Sequence, residues 1–248
     1  SYAIAQGTLS AGSNYTIAYT PANLTIAKYA SNLTVLADAK TKVYGTTDPS
    51  LTYTVNGLPG SFTADGVTWS DIQSSAVTGS LSRTAGENVG AYGISSGLTS
   101  ANYNLSYTGA NLTITPATLT VTAAAQTKSY ATDDPTLTYA VTGVITADQN
   151  KTLYAGSLSR AQYATLAGEQ VGTYVIGQGS LALNNTVGAG ANYQMLYVPA
   201  NLTITRYATS LTVTATDQTM VYGNSALPSM GYTVAGLVSN LTLTNGVV

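Results

Sequence analysis

The sequence contains no cysteine and no histidine. Their absence excludes disulfide staples, thiolate metal sites and nucleophilic constellations built on imidazole or thiol. Charge is also scarce: 8 basic and 10 acidic side chains make up 7% of 248 residues, where an ordinary soluble domain carries roughly 25%. A net charge of −2 with few, scattered cations gives no field for nucleic acid, which requires clustered Lys and Arg. No apolar run approaches the roughly 20 residues that span a bilayer, and the opening "SYAIAQGTLS" lacks signal-peptide architecture. No cofactor is expected. Nor is this the composition of a disordered chain, which couples low hydrophobicity to high net charge.

Polarity comes instead from 41 Thr, 23 Ser and 16 Asn, alongside 19 Tyr. Thr, Tyr, Val and Ile suit pleated, half-buried surfaces, and the residues alternate accordingly. In "LTYTV" Leu51, Tyr53 and Val55 share one face, and in "LTVTA" Leu119, Val121 and Ala123 do. In "NLTIT" Leu112 and Ile114 point inward while Asn111, Thr113 and Thr115 point outward. A period of two with one wet face is the habit of antiparallel sheets. A short helical turn fits only at 63–73, a segment with no counterpart further along the chain. The expected fold class is all-β: tandem small antiparallel β domains, sandwich-like or alternatively β-grasp-like, forming an elongated rod.

The tandem reading comes from an internal repeat. "LTV" recurs at Leu33, Leu119 and Leu211, each followed by a tyrosine, Tyr44, Tyr130 and Tyr222. Then come "DPSLTYTVNGL" (48–58), "DPTLTYAVTGV" (134–144) and "LPSMGYTVAGL" (227–237). "TGSLSR" (78–83) and "AGSLSR" (155–160) precede "GENVGAYGI" (86–94) and "GEQVGTYVI" (168–176). The unit closes on "ANYNLSYTGANLTIT" (101–115) and "ANYQMLYVPANLTIT" (191–205), and the chain opens on the similar "SNYTIAYTPANLTIA" (13–27). The organisation is therefore a closing fragment at 1–32, complete repeats at 33–118 and 119–210, and an opening fragment at 211–248. The sequence reads as an excerpt of a longer polypeptide. Length differences fall in Gly/Ser/Asn-rich joins between fixed runs, as surface loops between strands allow.

"KVYGTTDPSLTYTVNGL", followed by "GSLSR", "GENVGAYGI", "NYNLSY" and "LTIT", resembles the MBG domains. These are mostly-β, glycine-rich repeats found in tandem in large, filamentous-haemagglutinin-like bacterial surface adhesins. The resemblance covers nearly the whole chain. It implies an extracellular or cell-surface location and a stalk or adhesive role, and it carries no catalytic residues. Two departures stand out: Ala131 where the pattern has glycine, and Leu227-Pro228 in place of Asp-Pro.

Glu87 and Glu169 are the single glutamates of their units, each downstream of a recurring arginine, Arg83 or Arg160. A carboxylate pair for hydrolysis needs two acids about 5–10 Å apart, so a structural Arg–Glu pair is the simpler expectation. Asp48-Pro49 and Asp134-Pro135 read as turn formers. "TTDP" and "TDDP" offer too few of the six to eight oxygens calcium takes. No metal site and no enzymatic activity are expected.

Most tyrosines fall in columns repeated across the three copies, including Tyr44/Tyr130/Tyr222 and Tyr53/Tyr139/Tyr232. They read as amphipathic core fillers, with an aromatic sugar-binding face as the competing reading. Nine N-x-[ST] triplets are candidate N-glycosylation sites: Asn14, Asn23, Asn32, Asn104, Asn111, Asn150, Asn184, Asn201 and Asn240. Asn23, Asn111 and Asn201 form one column. The leading expectation is a structural stalk segment whose partners are neighbouring repeats of the same polypeptide. A glycan- or matrix-binding module and a fibre subunit adding strands to other copies are the alternatives.

Overall fold

The computed structural model describes residues 1–64, 66–160, 169–184 and 189–238. The chain divides into two compact units, Ser1–Thr115 and Pro116–Val248. In the first, a hairpin of β1 (Tyr2–Ile4) and β2 (Ala22–Leu24) precedes β3 (Asn32–Ala37), β4 (Lys40–Val43), β5 (Tyr53–Asn56), β6 (Phe62–Ala64), β7 (Val67–Trp69), β8 (Leu81–Arg83), β9 (Gly90–Ser96), β10 (Asn104–Thr108) and β11 (Asn111–Thr115). Two sheets result, ordered β10-β3-β5 and β4-β11-β9-β8, with β6 and β7 paired as a separate hairpin.

The second unit repeats this plan with β12 (Ala117–Ala123), β13 (Gln126–Ser129), β14 (Tyr139–Thr142), β15 (Tyr154–Ala155), β16 (Ser159–Arg160), β17 (Gly172–Gly177), β18 (Ala182–Leu183), β19 (Tyr193–Val198) and β20 (Ala200–Thr205). Its sheets are β14-β12-β19 and β13-β20-β17-β16, plus the small pair β15-β18. A last hairpin, β21 (Thr212–Ala215) with β22 (Tyr232–Ala235), repeats the β3–β5 register, as β1–β2 repeats the β9–β11 register.

Period-two burial produces the core. Along β12, Ala117, Leu119, Val121 and Ala123 are buried, and Thr118 and Thr122 are exposed. The same columns are buried in both units: Leu33 and Leu119, Val35 and Val121, Ile94 and Ile176, Leu112 and Leu202, Ile114 and Ile204. Each such side chain contributes about 1.5–3 kcal/mol relative to exposure. One core cluster draws Val121 from β12, Ile176 from β17 and Leu202 from β20, so the two sheets face each other as a sandwich. Helical structure among the described residues is confined to α1 (Gln73–Ala76) and 3-10 turns at Thr146–Asp148 and Gly190–Asn192.

Two findings refine the sequence reading. The helical turn expected at 63–73 is instead the β6–β7 hairpin, with α1 following it. β-branched Thr63, Val67 and Thr68 and the aromatic Trp69 suit strands, and Gly66 at φ 77 supplies the left-handed turn a short hairpin needs. The sheets are also mixed. β3 runs parallel to β10 and β4 parallel to β11, and β12 with β19 and β13 with β20 do the same. The register is continuous across both sheets: Asn32 faces Asn104 and Val43 faces Thr115, so residues 32–43 and 104–115 run side by side. Period-two patterning fixes which face is wet but not the direction of the neighbouring strand.

Left-handed backbone, which favours glycine, recurs at the turn after Tyr44 and Tyr130. Gly45 has φ 80, and Ala131 takes φ 64 in the matching place, making it the one positive-φ non-glycine among the described residues. A Cβ in the left-handed region costs roughly 1–2 kcal/mol.

Candidate functional site: a four-charge cluster in each unit

Lysine opens the site. In β4, with sequence Lys-Thr-Lys-Val, the inward position is Lys42, and in β13 it is Lys128. An ammonium on the buried side of a strand requires partners. Lys42 Nζ donates to Asp48 Oδ1 at 2.7 Å, to Glu87 Oε2 at 2.5 Å and to the Thr46 carbonyl at 3.1 Å. Arg83 at the end of β8 donates through Nε to Asp48 Oδ2 at 2.6 Å, through Nη2 to Asp48 Oδ1 at 3.1 Å, and through Nη2 to Glu87 Oε1. Its guanidinium also lies 5.4 Å from the Tyr92 ring centroid, a cation–π distance.

The second unit rebuilds the arrangement residue for residue. Lys128 Nζ lies 2.9 Å from Asp134 Oδ1 and 2.8 Å from Glu169 Oε1, and donates to the Thr132 carbonyl at 2.8 Å. Arg160 Nε donates to Asp134 Oδ2 at 2.7 Å, its Nη2 reaches both Asp134 Oδ1 and Glu169 Oε1, and it sits 5.7 Å from the Tyr174 ring. Arg83 with Glu87 and Arg160 with Glu169 are thus in contact. Asp48 and Asp134, expected only as turn formers, are full members, and Lys42 and Lys128 complete the set. The signal for the lysines was available: "TKVY" and "TKSY" place one two residues before the recurring tyrosine.

The electrostatics match a closed ion network. Hydrogen bonds from Arg83 and then Lys42 pull the Asp48 carboxyl down to about 2, and those from Lys42 and Arg83 hold Glu87 below its ordinary value. Burial pulls the Lys42 ammonium down, but its bonds to Asp48 and Glu87 outweigh that and the net direction is up. Burial raises Asp134, and the bonds from Arg160 and Lys128 more than reverse it. In the first unit Lys42, Asp48, Arg83 and Glu87 are all shifted toward their charged forms, unlike the neutral–charged split that acid–base catalysis uses. Among the described residues no group of three or more acids could hold a metal ion.

The tyrosine hydroxyls have repeated partners. Tyr107 donates to the Ile94 carbonyl and Tyr197 to the Ile176 carbonyl, both at 2.8 Å, and Tyr19 donates to the Ile4 carbonyl. Tyr103 donates to Asp71 at 2.5 Å and Tyr193 to Asp148 at 2.7 Å, and the Asp71 carboxylate pushes the Tyr103 phenol up to about 12. Tyr53 and Tyr139 are half-buried against the cores, whereas Tyr232 is exposed. Backbone N–H groups of Tyr44 and Tyr130 close onto the Thr115 and Thr205 carbonyls, each at 2.8 Å, and Tyr222 is exposed.

The sequon asparagines are scattered. Asn23, Asn111 and Asn201 are exposed on strands β2, β11 and β20; Asn32 and Asn104 are exposed at strand starts. Asn14 and Asn150 are exposed in turns, Asn184 is half-buried, and Asn240 lies outside the described residues. Asn14, Asn150 and Asn184 lie outside the strands, the loop setting that an acceptor sequon calls for.

No curated protein matches the chain. No solved structure matches it either. A family model described as "MBG domain (YGX type)" matches residues 33–113 and again 119–203, the two segments that carry the sandwiches and their charge clusters. The chain therefore belongs to the MBG domain family, of which it holds two tandem copies.

Proposed function

We propose that this chain is a structural stalk segment of a long, secreted bacterial surface protein of the adhesin kind, and that its repeats supply reach rather than chemistry. One observation carries the reading: the first and last segments of each unit are in-register parallel neighbours. Parallel strands point the same way, so a unit is entered at one pole and left at the other. In the first unit nine residues of the 32–43 segment are paired with the 104–115 segment, and that twelve-residue run at about 3.3 Å each spans up to roughly 40 Å. Antiparallel first and last strands would have returned the chain to its starting pole and added bulk without length.

The joins support the same use. β11 ends at Thr115 and β12 begins at Ala117, so Pro116 alone separates them, a join with far less freedom than a Gly/Ser linker. The segment before β3 is tied down: Lys28 Nζ donates to the Ser100 and Tyr103 carbonyls at 3.0 and 3.1 Å, and Tyr29 N–H to the Asn102 carbonyl at 2.8 Å. Tyr29 also meets the Tyr103 ring edge-on, with centroids 5.8 Å apart. The charge clusters serve as structural clips that tie β4 and β13, with the turns after them, to the arginines of β8 and β16, and the protein is read as non-catalytic.

Small-angle X-ray scattering of the whole chain tests the proposal. An extended pair-distance distribution that broadens when a Gly/Ser segment is inserted between Thr115 and Pro116 is the expected result. A compact distribution indifferent to that insertion would overturn it.

A further inference from the structure

The first unit carries a further feature beside its charge cluster. A groove of about 550 Å³ opens between the segment preceding β3 and the β6–β7 hairpin, lined among others by Tyr2, Tyr29, Trp69, Asp71, Asn102 and Tyr103. This is within the size range of small-molecule sites. Trp69, the single tryptophan of the chain, is 55% exposed there, and Tyr2 and Tyr29 also keep much of their rings in solvent. At the floor, Asp71 Oδ2 accepts the Tyr103 hydroxyl, while Asp71 Oδ1 has, among the described residues, a 3.5 Å contact from Ser75 Oγ.

We propose that this groove binds a neutral saccharide, of mono- to disaccharide size, with Trp69 and Tyr29 as ring platforms and Asp71 and Asn102 as hydrogen-bonding groups. The argument is one of matching chemistry. Exposed aromatic rings offer apolar faces for the C–H faces of a pyranose. A wholly apolar ligand would take water from Asp71 Oδ1, whose contact with Ser75 Oγ is long at 3.5 Å, and such desolvation is costly, whereas sugar hydroxyls can donate to it. An anion would meet that carboxylate with no cation in the lining, because Lys28 Nζ is committed to two backbone carbonyls. The second unit serves as an internal contrast. Its matching acid, Asp148, is fully buried and held by Tyr193 and Lys151, and its join between Gly143 and Gly156 has no tryptophan where the Gly57–Gly79 join carries Trp69. The exposed tryptophan and the accessible acid thus belong to the first repeat, and the proposal goes beyond the stalk role.

Because Trp69 is the only tryptophan, its emission reports on this groove alone. The intact chain is titrated with a panel of neutral disaccharides (cellobiose, lactose, maltose and N,N′-diacetylchitobiose), with tetramethylammonium chloride as a cation probe. A saturable emission shift with at least one disaccharide, at a Kd on the order of 1 mM, is expected, and Tyr29→Ala and Asn102→Ala each weaken it at least tenfold. No saturable shift with any disaccharide overturns the proposal, as does saturation by tetramethylammonium alone, which would make the groove a cation site. Undiminished disaccharide binding by both variants, with circular dichroism showing them folded, would also overturn it.

Discussion

In the first unit Glu87 leaves 63% of its side chain in solvent, while its counterpart Glu169 leaves none; Asp48 and Asp134 stand at 40% and 12%. The connectivity is the same and the surroundings are not. Exposed ion pairs contribute little because water competes for both charges. Buried ones are costly to break, because the survivor is left charged in a poor solvent. Glu169 has the further peculiarity that, among the described residues, Oε2 has no hydrogen-bond partner, both cations converging on Oε1. One motif is therefore a surface clip in one repeat and part of the interior in the next. The third opening dispenses with it on this side, carrying Met220 where Lys stands and Leu227 where Asp stands.

That contrast can be broken most severely at the arginine. Arg160→Ala should destabilise the second unit by about 3–5 kcal/mol, whereas Arg83→Ala should cost the first only a small fraction of that; calorimetry of the two variants gives the ratio. Equal losses would show that burial does not set the cluster's weight. Next in size, the joint change Lys128→Met with Asp134→Leu mimics the third opening and leaves Arg160 paired with Glu169. It should cost less than Arg160→Ala alone in urea unfolding, because no buried charge is orphaned. A larger loss would mean the lysine and aspartate hold the cluster by themselves.

A smaller effect separates the repeats at their turn. Ala131→Gly should stabilise the second unit by about 0.5–1 kcal/mol and Gly45→Ala should destabilise the first by about 1 kcal/mol, read as opposite shifts in melting temperature. The gentlest test is acid. Asp48 is depressed to about 2, so the stability it lends is fully present above the ordinary carboxylate range near 3.8 and is lost as pH falls through about 2. Asp134 is depressed in the same sense, and its protonation leaves Arg160 and Lys128 short of a counter-charge in a buried setting. Acid melting of the second unit should therefore be the steeper of the two.

Much of this was written in the sequence. Alternation in "LTVTA" and "NLTIT" assigned Leu119, Val121, Leu112 and Ile114 to an interior and left Asn111 outside, because a strand has only two faces. Recurrence of Arg and Glu drew attention to Arg83, Glu87, Arg160 and Glu169. Lys42 and Lys128 escaped notice because a lysine in a strand ordinarily marks the wet face, and only the fold shows that theirs is the dry one. The parallel seam was invisible for a different reason: residues 32–43 and 104–115 are far apart in the chain, and nothing in either segment states the direction of its neighbour. Trp69 lay in an insertion with no counterpart in the second repeat, so no column drew attention to it.

The parallel seam is also the claim on which the stalk reading depends. The chain has no native cysteine, so Ser31→Cys with Thr113→Cys gives one clean spin-label pair, at the entry of the first unit and near its exit. Thr113 pairs with Thr41, ten residues along the strand path from Ser31, which places the labels up to roughly 30 Å apart. A pulsed-dipolar distance near that value is what the account predicts. A distance under about 15 Å, the separation of two ends meeting at one pole, would contradict it.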